Sequence, residues 1–147
     1  MNNTHLYFAY GMNTNLDEMG YRCPAALSLG VATLPDHEFR FAHHADVVEY
    51  PGYNTQGVLW EITDDCLKSL DVLEGFPTYY ERKLATVIHR GHTIEALVYY
   101  MVGDRPDALP SKGYLDMLNQ GYKEHGVSTD QIKLSLDYIA ILNKSFS

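Results

Sequence analysis

Two runs rich in β-branched and aromatic residues, YYERKLATVIH and TIEALVYYM, meet across Arg90-Gly91. A connection that short joins antiparallel neighbours, because parallel strands need a crossover of a dozen or more residues. The chain is therefore expected to hold a hairpin reaching from about Tyr79 to Met101. Upstream, Tyr7 to Tyr10 reads as a short buried strand. SLGVATL, EFRFAHH and TQGVLWEI read as further strands between Ser28 and Ile62, with EYPGYNT as the loop between the last two. One clear helix interrupts the sheet. In TDDCLKSLDVLEG, Thr63 is the expected cap, Asp64 and Asp65 suit the positive first turn, and Gly75 suits a left-handed stop.

Asn13 or Thr14 is expected to cap a brief earlier helix that runs to about Tyr21. Further on, Ser111 opens a helix that ends at Gly126. Ser128 with Gln131 forms a capping box for a last helix, with Ile132, Leu136, Ile139 and Leu142 at helical spacing. Hairpin-like connections outnumber helical crossovers. The expected class is α+β, on a mixed sheet or small barrel, rather than a doubly wound parallel sheet.

A length of 147 residues with 46% hydrophobic content suits one domain, spanning 1–147, with no repeat or Pro/Ser-rich linker to divide it. Eleven Lys and Arg against nineteen Asp and Glu leave a formal charge of −8, which disfavours nucleic acid or an anionic membrane as partner. A small molecule or a protein is expected instead. Cys23 and Cys66 are too few for a disulfide framework, and no stretch reads as a signal peptide or transmembrane helix. These features predict a cytoplasmic protein with both thiols reduced. His43 and His44 point to opposite faces of a strand, and His89 and His92 straddle a turn, so neither pair is placed to share a metal ion.

YFAYGMN, Tyr7 to Asn13, passes abruptly from an apolar strand into Gly, Met and Asn. A strand that turns there into a helix presents backbone N–H groups together, a site for an anion or a carbonyl oxygen; a plain turn with a glycine for geometry reads the same. Gly11 allows close approach of a ligand, and Asn13 can cap the helix or bond a ligand. Glu74 carries more information. At about 100° per residue it falls between Leu67 and Leu70, so its carboxylate leaves from the apolar side. It also lies in the last turn, where burial and the helix dipole both push its pKa upward. A raised carboxyl suits a general base working near neutrality, whereas the plainer reading is a rim residue whose head reaches water. Asp71 falls more towards solvent, Glu81 stands beside Arg82, and His125 reads as a helix-end group. The sequence has no GxSxG elbow or Walker-type phosphate loop, and neither cysteine carries a nucleophile motif.

YFAYGMN, RCPAALSLGVATL, ADVV with GVLWEI, LDVLEGFPTYYERK and GYLDMLNQGYKEHG closely resemble the γ-glutamylcyclotransferase family, in the same order and over nearly the whole chain. The most specific parts are Tyr-Gly-x-Asn after the first strand and the run from Leu70 to Arg82. The resemblance implies a small mixed β-sheet barrel with flanking helices, a pocket beside the loop, and no metal or organic cofactor. It implies that Glu74 is the catalytic carboxylate and that Tyr10, Gly11, Met12 and Asn13 form the loop that cradles a γ-glutamyl group. Tyr7 would begin the stretch lining the pocket, and Tyr80 and Tyr114 would match the family's further binding-site tyrosines. Met12 stands where the family usually has Ser, which removes a hydroxyl, adds a thioether and bears on substrate identity more than on chemistry.

The reaction so implied is attack of a γ-glutamyl compound's α-amine on its own γ-carbonyl, giving 5-oxoproline and a free amine or amino acid. Glu74 would take a proton from the α-ammonium and deliver one to the leaving nitrogen, while donors around Gly11 and Met12 hold either the γ-carbonyl oxygen or the α-carboxylate. Two other readings share the fold: a non-catalytic pocket for a γ-glutamyl metabolite or partner protein, and removal of a γ-glutamyl cap from a biosynthetic intermediate. Arg82 and Arg40 are candidates to meet a substrate carboxylate, with pairing to a neighbouring acid as the alternative.

Overall fold

The computed structural model describes residues 3–145. Within them five strands close into a barrel: β1 (Thr4–Ala9), β2 (Leu27–Ala42), β3 (His44–Thr63), β4 (Tyr80–His89) and β5 (His92–Met101). Their order around the barrel is β1-β3-β2-β4-β5. Neighbours run antiparallel except β1 and β5, which meet in parallel at Tyr7 and Leu97, so the sheet is mixed. Phe8, Leu34, Phe41, Val58, Leu59, Val87 and Val98 are fully buried in the core. The expected hairpin is β4 and β5, with His89 paired to His92 across Arg90 and Gly91, both at positive φ.

Three strand expectations are corrected. SLGVATL and EFRFA belong to one continuous strand, β2, which absorbs irregularities between Ser28 and Gly30 and between Pro35 and His37. His43 and His44 are not on two faces of one strand, because β2 ends at Ala42, His43 forms the turn at φ 66° and His44 opens β3. EYPGYNT lies inside β3 rather than forming a loop: Tyr50 to Tyr53 bulge opposite Asp36, and pairing continues on either side at Glu49 with His37 and Asn54 with Pro35. Its Pro and Gly serve a bulge in a long ribbon instead of ending it.

Helices α1 (Leu16–Arg22), α2 (Asp64–Leu73), α3 (Lys112–His125) and α4 (Asp130–Ser145) accompany the barrel. In α2 the Cys66 N–H donates to Thr63 Oγ1 at 3.2 Å, and Gly75 follows its end at φ 64°, as expected. α3 runs between a Ser111 cap and a left-handed Gly126, also as expected. The start of α1 differs. Met12–Thr14 form a short 3-10 turn, and Asn15 is the cap, accepting from the Glu18 N–H at 3.1 Å. Asn13 lies inside that turn, and its amide bonds Tyr7 and Glu74. The expected capping box of α4 is replaced as well. Gln131 donates to the Gln56 carbonyl at 2.8 Å and the Tyr122 hydroxyl at 2.7 Å, docking the helix on the barrel instead of closing its own first turn.

Cys23 and Cys66 are not two reduced thiols: they form a disulfide whose Cα atoms lie 5.2 Å apart. Packing of the end of α1 on the first turn of α2 brings them together across a sequence separation of 43, which spacing alone hides. α3 in turn lies on the 3-10 turn. A Cβ at Gly121 would stand 2.6 Å from the Asn15 nitrogen, so this approach requires glycine. Among the described residues no helix is long and apolar enough to cross a membrane.

Candidate active site

The 3-10 turn, the ends of α1 and α2, the starts of β3 and β4 and the first turn of α3 surround a cavity of about 430 Å³. That is the size of a small-molecule pocket. Met12 and Asn13 line it from the turn, Arg22 from α1, and Leu73, Glu74 and Gly75 from the end of α2; His44, Tyr79, Tyr80 and Tyr114 complete the wall.

Glu74 caps the C-terminus of α2, its N–H donating to the Leu70 carbonyl at 2.8 Å. Gly75 then turns the backbone away and leaves the carboxylate facing the cavity. Burial raises this carboxyl from its ordinary 4.5 to about 7, against the opposing pull of the Arg22 charge and a hydrogen bond from Asn13. The Asn13 amide sits at the junction. Its Nδ2 donates to the Tyr7 hydroxyl at 3.0 Å and to Glu74 Oε1 at 3.3 Å, and its Oδ1 accepts from Arg22 Nη1 at 3.2 Å. A guanidinium only donates, so this contact fixes which end of the amide faces Glu74.

The other expected site residues divide into those on the wall and those behind it. Tyr7 is buried and reaches the cavity only through Asn13; burial holds its phenol well above the ordinary range. Tyr10 points into the barrel, its hydroxyl donating to the Tyr99 carbonyl at 2.6 Å, while its own carbonyl accepts from Tyr122 at 2.6 Å. Gly11 is not on the wall either: a Cβ there would lie 3.2 Å from the Tyr114 hydroxyl and 3.3 Å from Ala45 Cβ. Tyr80 lies on the wall, with its hydroxyl donating to the Ala45 carbonyl at 2.6 Å.

Tyr114 is more available. Its hydroxyl oxygen accepts from the Ala45 N–H at 3.0 Å and from the Met12 N–H, and burial pushes the phenol up to about 12. With both lone pairs used, what the hydroxyl can offer a ligand is its hydrogen. The loop is therefore less open than the sequence suggests. The Met12 N–H is engaged by Tyr114, and those of Thr14 and Asn15 donate at 3.0 Å to the Gly11 and Met12 carbonyls.

Neither arginine expected at a substrate carboxylate is on the wall. Arg82 pairs with Asp71 at 3.0 Å, and Arg40 pairs with Asp107 at 2.7 Å and donates to the Arg105 carbonyl. Asp71 is thus not a solvated acid; it also accepts from the Tyr99 hydroxyl at 2.6 Å. His125 bonds the Gly121 carbonyl at 3.1 Å within its own helix.

The sequence reading overlooked Arg22, His44 and Tyr79. Arg22 had a detectable signal, its i,i+4 relation to Glu18, with which it pairs at 2.7 Å. His44 Nδ1 lies 3.1 Å from the Tyr79 hydroxyl, and its ring meets Tyr114 edge-on at 5.2 Å. Burial and neighbouring His43 hold this imidazole below its ordinary pKa. These contacts join distant segments and leave no local pattern.

Residues 7–116 match the family described as Gamma-glutamyl cyclotransferase, AIG2-like. The chain is 29% identical over 142 residues to bovine gamma-glutamylcyclotransferase, covering 87% of this chain and 75% of that protein. It is also 29% identical over 136 residues to the human gamma-glutamylcyclotransferase, covering 83% of this chain and 72% of that one. A solved structure of a gamma-glutamyl cyclotransferase superposes with a TM-score of 0.82 at 29% identity, covering 90% of this chain and 86% of the other. With a matched segment that includes Asn13, Glu74 and Tyr114, the chain belongs to the gamma-glutamyl cyclotransferase, AIG2-like family.

Proposed function

We propose that this cavity cyclises a γ-glutamyl compound to 5-oxoproline with release of an amine, and that Glu74 moves the protons. The carrying observation is a carboxyl poised at about 7 on the cavity wall, bonded to Asn13. A group so poised exchanges protons in both directions near neutrality. That favours catalysis over a pocket that only binds.

Glu74 as the carboxylate takes one proton from the substrate's α-ammonium. The freed amine attacks the γ-carbonyl carbon, and the bond that forms closes a five-membered ring. As the oxygen gains charge, the hydroxyl of Tyr114, a wall residue, donates to it. The bond from the γ-carbon to the leaving nitrogen then breaks as Glu74 returns its proton to that nitrogen. The second proton lost by the ammonium passes through solvent, and the amine leaves protonated. Both reacting groups belong to one molecule, so the wall has only to hold the bent shape, which exploits an effective molarity of about 10⁵ M or more in well-oriented systems. Relatives named gamma-glutamylcyclotransferase support this chemistry, and the small cavity supports a small-molecule substrate.

Acetylation of the substrate's α-nitrogen tests the reading. An acetylated nitrogen is not nucleophilic, so α-N-acetyl γ-glutamyl compounds should remain intact while the parent compounds are consumed. Release of amine from the acetylated compound would show attack by water rather than by the substrate itself.

A further inference from the structure

Among the described residues lining the cavity, Arg22 supplies the permanent positive charge and Glu74 the acidic group. Arg22 is held from behind, its Nη1 lying 2.7 Å from Glu18 and 3.2 Å from Asn13 Oδ1. Its Nη2 donates to Met12 Sδ at 3.8 Å. A thioether is a weak acceptor, so this edge of a largely buried guanidinium has a poor partner where an anion would be a strong one. The next residue, Cys23, is joined to Cys66, which ties this end of α1 to the helix that carries Glu74.

We propose that Arg22 binds the α-carboxylate of the γ-glutamyl group. The assignment rests on the reaction proposed above and adds to it the residue that holds the acid end of the substrate. Asn13 bridges Arg22 and Glu74 through bonds of 3.2 and 3.3 Å and so sets the spacing of the two charges. On this assignment the α-carboxylate turns towards Arg22 and the ammonium towards Glu74. Held by both substituents, the substrate keeps its γ-carbonyl arm free to fold back onto the amine. The assignment also separates two tasks: the α-carboxylate goes to Arg22, and the γ-carbonyl oxygen to Tyr114.

The test compares γ-glutamylalanine with the same dipeptide carrying a carboxamide in place of the glutamyl α-carboxylate. Binding is followed by calorimetry and turnover by 5-oxoproline release. Wild type should favour the carboxylate form by on the order of 10²-fold, as a site does when a charged partner is lost. Arg22→Gln should lose that preference, mainly through KM, and Arg22→Lys should recover part of it. Equal binding of the two dipeptides by wild type would overturn the assignment even if turnover is normal, as would an undiminished preference in Arg22→Gln. Preferential binding of the carboxylate form without any 5-oxoproline would keep the carboxylate site and remove the reaction. If Arg22→Gln does not fold, the wild-type binding preference and its partial retention in Arg22→Lys decide the matter.

Discussion

Replacing Glu74 with Gln should lower kcat for γ-glutamyl substrates by about 10² or more while binding persists, the usual scale for a positioned acid–base group. Gln preserves the shape of the side chain and can still meet Asn13, but it cannot carry a proton from one nitrogen to the other. The wild-type rate should also decline as pH falls through about 7, because the carboxyl must begin the cycle ionised. The residual rate of the Gln protein should lack that limb. Steady-state kinetics across pH with parallel calorimetry checks both points; a Gln variant with wild-type turnover would make Glu74 structural.

The same substitution should stabilise the protein above neutrality. A carboxyl whose pKa rises from 4.5 to about 7 on folding binds its proton more tightly when folded. Stability is therefore fullest below about pH 4.5 and declines between about 4.5 and 7, as the unfolded chain ionises freely and the buried group resists. Above that window the loss is complete, at about 3 kcal/mol for a shift of this size. Glu74→Gln has no charge to bury. Its urea midpoint should exceed the wild type's at pH 8, and the difference should shrink towards pH 4.5. A difference that does not vary with pH would mean that the carboxyl titrates normally.

Glu74 was legible because its surroundings are local. The Thr63 cap, the acidic first turn, the leucine period and Gly75 all lie within one helix, and together they orient the carboxylate. The β4–β5 hairpin was legible for the same reason. Tyr50 to Tyr53 were misread because Pro and Gly mark a bulge as readily as a loop, and only the partner strand shows which. Asn13 was expected as a cap or ligand-binding group; it gave the capping role to Asn15 because a 3-10 turn intervenes, which frees its amide to join Arg22, Tyr7 and Glu74. Tyr114 reaches the site through Ala45, 69 residues away, and no spacing rule connects such a pair. The Cys23–Cys66 bond was missed for the same reason.

The central claim concerns what the cavity releases. Purified protein incubated with a panel of γ-glutamyl amino acids and γ-glutamyl amines, its products resolved by mass spectrometry, should yield 5-oxoproline and free amine in equal amounts from at least one member. Glutamate in place of 5-oxoproline, or substrates that bind and remain whole, would contradict a cyclising site built around Glu74.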